Sequence, residues 1–127
     1  MKLFKLWLPA AVWAGLIFYF SSIPDLKSGL EYDFIFRKLA HVLEYFVLTF
    51  LLWRAFKGTF SMGPVRRLVY PATAALVYAV LDEIHQYFVP GRSGNFNDCL
   101  IDALGIFGFL VLIKLMPRAA NRLPGRV

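Results

Sequence analysis

Four carboxylates, an imidazole, an amide and a guanidinium crowd one short stretch of an otherwise apolar chain: Asp82, Glu83, His85 and Gln86, then Arg92, then Asp98 and Asp102. The turn Pro90-Gly91-Arg92-Ser93-Gly94 lies at their centre. Ionisable side chains inside apolar segments are costly, so they mark a functional site by default. A second group, Lys38, His41 and Tyr45, recurs at spacings of three and four and shares one helical face, with Glu44 at its border. Arg92 suits bidentate recognition of a phosphate, and Lys38 would add a second cation. His41 and Glu83 are the candidate general bases for hydrolysis or transfer at that phosphate. Gln86, Asp98 and Asp102 complete the candidate ligand-binding set.

Other chemistries compete for the same residues. The cluster could bind or move a lipid-linked or drug-like molecule without reacting with it. His41, His85, Asp82, Glu83, Asp98 and Asp102 are of metal-ligand type. They lack H-E-x-x-H or comparable spacing, however, so neither a metal nor another cofactor is expected. A structural reading also stands, because buried carboxylates need cationic partners whether or not a substrate exists. Arg92 and Lys38 would then only neutralise Glu83, Asp98 and Asp102. His85 reads as a solvated residue near a boundary, and Tyr45 and Tyr87 read as interfacial packing. Gly105 and Gly108 suit close helix contacts, and Cys99 reads as a small buried residue. No serine stands out as an activated nucleophile.

The elements that position these groups are helices. Of 127 residues, 59% are hydrophobic and 17% charged, with a mean hydropathy of +0.60, whereas a soluble domain carries about a quarter charged residues. Four apolar runs approach the ~20 residues that span a bilayer. The expected fold is all-α: one domain over 1–127, a four-helix transmembrane bundle with helices at about 6–20, 37–53, 68–88 and 98–116 and a basic tail at 117–127. Residues 25–36 are expected as a loop or a short helix lying on the surface, and the basic run 54–67 as a loop. Asn95 or Asn97 would cap the fourth helix, with Asp98 in its first turn. So apolar a chain fits membrane lipids as partners and not nucleic acid. A single cysteine allows no internal disulfide. Phe18 to Ser22 lacks a small-x-small cleavage pattern, so the first apolar run reads as a retained helix.

Charge placement sets the expected orientation. Lys2, Lys5, Arg54, Lys57, Arg66, Arg67, Lys114, Arg118, Arg122 and Arg126 cluster at one side with no acid among them. The acids and both histidines fall on the other side or in the helix halves nearest it. The positive-inside rule makes both termini cytoplasmic. Counting helical rise from the basic edge puts His41, Asp82 and Asp102 roughly 18–22 Å above it, in the outer half of a slab about 30 Å thick. A polar pocket on the extracytoplasmic side is the expected result.

The pattern Ser21-Ser22-x-Pro24, Asp33-x4-Lys38-x2-His41-x3-Tyr45, Glu83-x2-Gln86-x3-Pro90-Gly91-Arg92 and Asp98-x3-Asp102-x2-Gly105 resembles the VanZ-like family of small membrane proteins. The resemblance covers nearly the whole chain in order. It implies an integral protein of the cell membrane and envelope, related to one linked with low-level resistance to the glycopeptide antibiotic teicoplanin. It also implies that Asn is accepted where this chain has Asp102. The expectation is therefore a VanZ-like envelope protein that binds or acts on a lipid-linked, phosphate-bearing or glycopeptide-related ligand. The alternative is a structural or partner-binding protein whose polar cluster clamps helices together.

Overall fold

Each helix outruns the apolar run that announces it. The computed structural model describes residues 1–22, 33–89 and 96–116, the side chains of 33, 34 and 96 excepted. Among the described residues there are four helices and no strand: α1 (Lys2–Ser22), α2 (Asp33–Thr59), α3 (Pro64–Tyr87) and α4 (Phe96–Leu115). Residues 54–59, expected as loop, are the last turns of α2, and Arg66 and Arg67 already belong to α3. Lysine and arginine are good helix formers, and extending a helix costs far less than nucleating one. The ammonium of Lys57 also lies 4.8 Å from the centre of the Trp53 ring, a cation–π contact that favours the extra turn. The helix–helix break shrinks to residues 60–63. Gly63 stands extended at the N-cap and Pro64 opens α3, where its missing N–H goes unneeded. At the start of α4, Asp98 occupies the first turn as expected and Asn97 lies inside the helix. Asn95, most of the loop 25–36 and the tail 117–127 lie outside the described residues.

Side-chain pairings fix the helix directions. Trp7 bonds Thr59 and Trp13 bonds the Glu44 carbonyl, so α1 and α2 run antiparallel. Tyr78 donates to the Ala14 carbonyl and Ser21 donates to Asp82, so α1 and α3 run parallel. Lys38 meets Asp98 and His41 meets Asp102, so α2 and α4 run parallel. The result is an up-down-up-down bundle in which α2 and α3 pack on each other. The outer helices α1 and α4 each touch both, without touching one another among the described residues. Ile17, Tyr45, Leu48, Ala75, Ala79 and Ile106 form its core.

Polarity is inverted relative to a soluble bundle. Asp82, Glu83, Gln86 and Asp102 are buried, while Leu81, Ile84, Leu100, Leu104, Phe107 and Leu115 face outward. An outer surface so continuously apolar is suited to lipid rather than water. Among the described residues, two helical stretches, Lys2–Ser22 and Ile35–Thr59, are long and apolar enough to cross a membrane, with mean hydropathies of 1.6 and 1.4. The other two helices have 24 and 20 residues, enough length, but carry paired acids in their turns at the polar end.

Candidate functional site

A ladder between α2 and α4 forms one half of the site. Asp98, Asp102 and Gly105 recur at four and three residues, so all three face the same neighbour. Asp98 pairs with Lys38. One turn on, Asp102 Oδ1 lies 2.9 Å from His41 Nδ1. At Gly105 the backbones close up: a Cβ there would sit 2.2 Å from the Val42 carbonyl oxygen and 3.0 Å from the Phe46 nitrogen. Only glycine permits that approach, and it presses Asp102 against His41. An ionised Asp102 only accepts, so Nδ1–H is the donor. In the neutral imidazole this leaves the lone pair on Nε2, the form a general base needs. His41 has no second hydrogen-bond partner among the described residues and its side chain keeps 16% exposure, whereas Asp102 has none.

Asp82 organises the other half. Its Oδ2 accepts from Ser21 Oγ at 2.9 Å, from Tyr45 OH at 3.4 Å and, more weakly, from Gln86 Nε2 at 3.5 Å. Gln86 Nε2 also donates to Ser21 Oγ at 3.1 Å. Three helices thus converge on one carboxylate oxygen, and all four side chains are buried. In a low-dielectric interior, such a network holds helices in register and makes each missing partner expensive. The remaining oxygens Asp82 Oδ1 and Asp102 Oδ2 are buried without a hydrogen-bond partner among the described residues.

A third contact ties α1 to α3. His85 stacks on Phe18 with ring centroids 4.3 Å apart, and its Nε2 lies 2.9 Å from Ser22 Oγ. Ser22 donates its single proton to the Phe18 carbonyl at 2.8 Å, so its oxygen accepts from His85 Nε2–H. His85 is therefore half-buried and engaged, not the solvated residue expected. Tyr45 is likewise corrected: it is fully buried in the core, while Tyr87 is exposed as an interfacial side chain would be.

The candidate residues thus separate. Lys38, His41, Asp98 and Asp102 come together along α2 and α4. The Nε2 of Gln86 donates to Ser21 and, more weakly, to Asp82. Glu83 is buried, 6% exposed, whereas the His41 side chain keeps 16% exposure. Arg92 and the turn around it lie outside the described residues. Ser21, Ser22 and Phe18 are the partners that sequence reasoning missed as site components, although two consecutive serines closing an apolar helix were a visible signal. Cys99 is buried as expected, and Gly105 makes the expected close contact. Gly108 does not, since a Cβ there would meet only Phe46, at 3.8 Å. Among the described residues no group of three or more His, Cys, Asp or Glu could hold a metal ion. Among the described residues, the polar side chains at this end bond largely to one another. A groove of about 610 Å³ does open in the molecule, but it is apolar and lies between the first half of α3 and the second half of α4, at the other end.

Comparison with known proteins agrees with this architecture. The chain matches the VanZ/LLP1 family over residues 5–117. It is also similar to an uncharacterized membrane protein of Bacillus subtilis (strain 168), YwnJ, with 34% identity over 108 residues, covering 76% of this chain and 70% of that protein. No solved structure matches. A match over nearly the whole chain, on four helices with a buried polar end, makes the protein a member of the VanZ/LLP1 family of membrane proteins.

Proposed function

We propose that this VanZ/LLP1 protein spans the membrane four times with both termini cytoplasmic and engages an envelope ligand at its extracytoplasmic polar end. The ligand class is lipid-linked and phosphate-bearing, or glycopeptide-related. The observation that carries the reading is His41: Asp102 holds one ring nitrogen, and the other nitrogen has no partner among the described residues. A histidine oriented in this way is poised to accept a proton from, or hydrogen-bond to, a polar group entering from the bundle's end. Lys38, paired with Asp98, lies one turn nearer that end and Arg92 follows α3 in sequence, so positive charge is concentrated where a phosphate would approach. The buried acids and the exposed hydrocarbon of α3 and α4 support four spans, since acids in a membrane face the bundle interior. The basic residues gathered at the opposite end support the orientation.

A second reading applies to Asp82. Its oxygen gathers Ser21, Tyr45 and Gln86 in full burial, which favours an interhelical clamp there and not ligand binding. The two halves then have different roles: the Asp82 network holds three helices together, and the His41–Asp102 pair faces the ligand. Mass spectrometry of lipids co-purified with the protein tests the proposal. A polyprenyl phosphate or lipid-linked sugar retained by the wild type and lost on Arg92→Ala is the expected result. Bulk phospholipid alone, unchanged by that substitution, would leave the clamp as the function of the whole cluster.

A further inference from the structure

The groove of about 610 Å³ belongs to neither half of the polar site. Val65, Leu68 and Ala72 of α3 form one wall and Leu110 and Val111 of α4 the other. Its lining is hydrocarbon except at its ends, where Thr73 lies on one side and Lys114 on the other. From Val65 to Thr73 the slot runs roughly 12 Å along the helix axis. Val69 is 48% and Val111 39% exposed, so it opens sideways to the surroundings. Ala72, small and half-buried, supplies the floor.

The mouth is cationic. Lys114 stands in the last turn of α4, and the exposed Arg66 neighbours Val65 in the first turn of α3. We infer that this groove is a binding site for an anionic diacyl phospholipid, with an acyl chain in the slot and the headgroup phosphate at Lys114 and Arg66. The arrangement matches the lipid end for end: an apolar channel parallel to the helices, terminated by fixed positive charge where the headgroup lies. Juxtamembrane lysine and arginine attract anionic lipids in just this manner. A second copy of the chain is a worse occupant, because a symmetric contact would bring the two sets of cations together.

The test is native mass spectrometry of the intact chain in detergent, given equal amounts of palmitoyl-oleoyl phosphatidylglycerol and phosphatidylcholine. Phosphatidylglycerol adducts should be retained in preference, by roughly fivefold for each cation engaged. Lys114→Gln, at an exposed position with little bearing on folding, should lower that preference while phosphatidylcholine adducts persist. Ala72→Phe, filling the floor, should lose adducts of both lipids with helical circular dichroism unchanged. Equal retention of the two lipids by the wild type, or a preference untouched by Lys114→Gln, would overturn the site. So would dimers that disappear in Ala72→Phe, which would make this face a contact between copies.

Discussion

His41 Nδ1 and Asp102 Oδ1 stand 2.9 Å apart, one helical turn from the point where Gly105 brings α4 against the Val42 carbonyl. The imidazole's orientation therefore depends on a backbone contact as much as on its own hydrogen bond. Asp102→Asn should preserve it, because an amide oxygen still accepts from Nδ1–H. Asp102→Ala should release it. Nitrogen-15 spectra of His41 should report Nδ1 protonation in the wild type and in Asp102→Asn, and a mixture of tautomers in Asp102→Ala. An unchanged tautomer in Asp102→Ala would mean that something else orients the ring.

The glycines sort by what a methyl group would meet. Gly105→Ala must push α2 and α4 apart, at a cost of about 1–3 kcal/mol for overpacking. Gly108→Ala meets only Phe46, at 3.8 Å, and Gly15→Ala meets nothing within 4 Å. Thermal unfolding in detergent should show a clear loss for Gly105→Ala alone, since alanine is otherwise the better helix former.

Ser21, Tyr45 and Gln86 share one acceptor, so their substitutions should not add. Ser21→Ala and Tyr45→Phe each remove a donor from buried Asp82, which costs about 1–3 kcal/mol. The double variant should differ from the sum by more than about 0.5 kcal/mol, the scatter expected of independent sites. Additive behaviour would mean that Asp82 does not couple the two helices.

Orientation is open to thiol labelling. Cys99 is buried and should resist maleimides until the protein unfolds. Ser61 is exposed between α2 and α3. Ser61→Cys in a Cys99→Ala background should react with a membrane-impermeant maleimide in inverted vesicles and not in intact cells. Labelling in intact cells would reverse the proposed topology.

What could be read in the sequence was whatever one helix decides alone. Lys38, His41 and Tyr45 share a face, and so do Asp98, Asp102 and Gly105, because spacings of three and four fix direction around a helix axis. The stacking of Gln86 over Asp82 was legible for the same reason. What one helix cannot encode is its neighbour. Nothing in Ser21 or Ser22 says that they meet Asp82 and His85, more than sixty residues away. Tyr45 looked interfacial because aromatics with a polar tip favour that zone, but its hydroxyl found a buried carboxylate instead. Helix ends were misread where cations extend the helix past its apolar segment, at 54–59 and at Arg66 and Arg67.

The decisive measurement is titration of the purified protein with a polyprenyl phosphate, read by intrinsic tryptophan fluorescence and thermal shift. The wild type and Lys5→Gln, altered only at the far end and away from the groove, should bind alike. His41→Gln should weaken binding by about tenfold, the loss of one hydrogen bond to a charged group, while keeping the wild-type fold. No binding by the wild type, or wild-type affinity retained by both His41→Gln and Lys38→Gln, would contradict a ligand site on the His41–Asp102 pair.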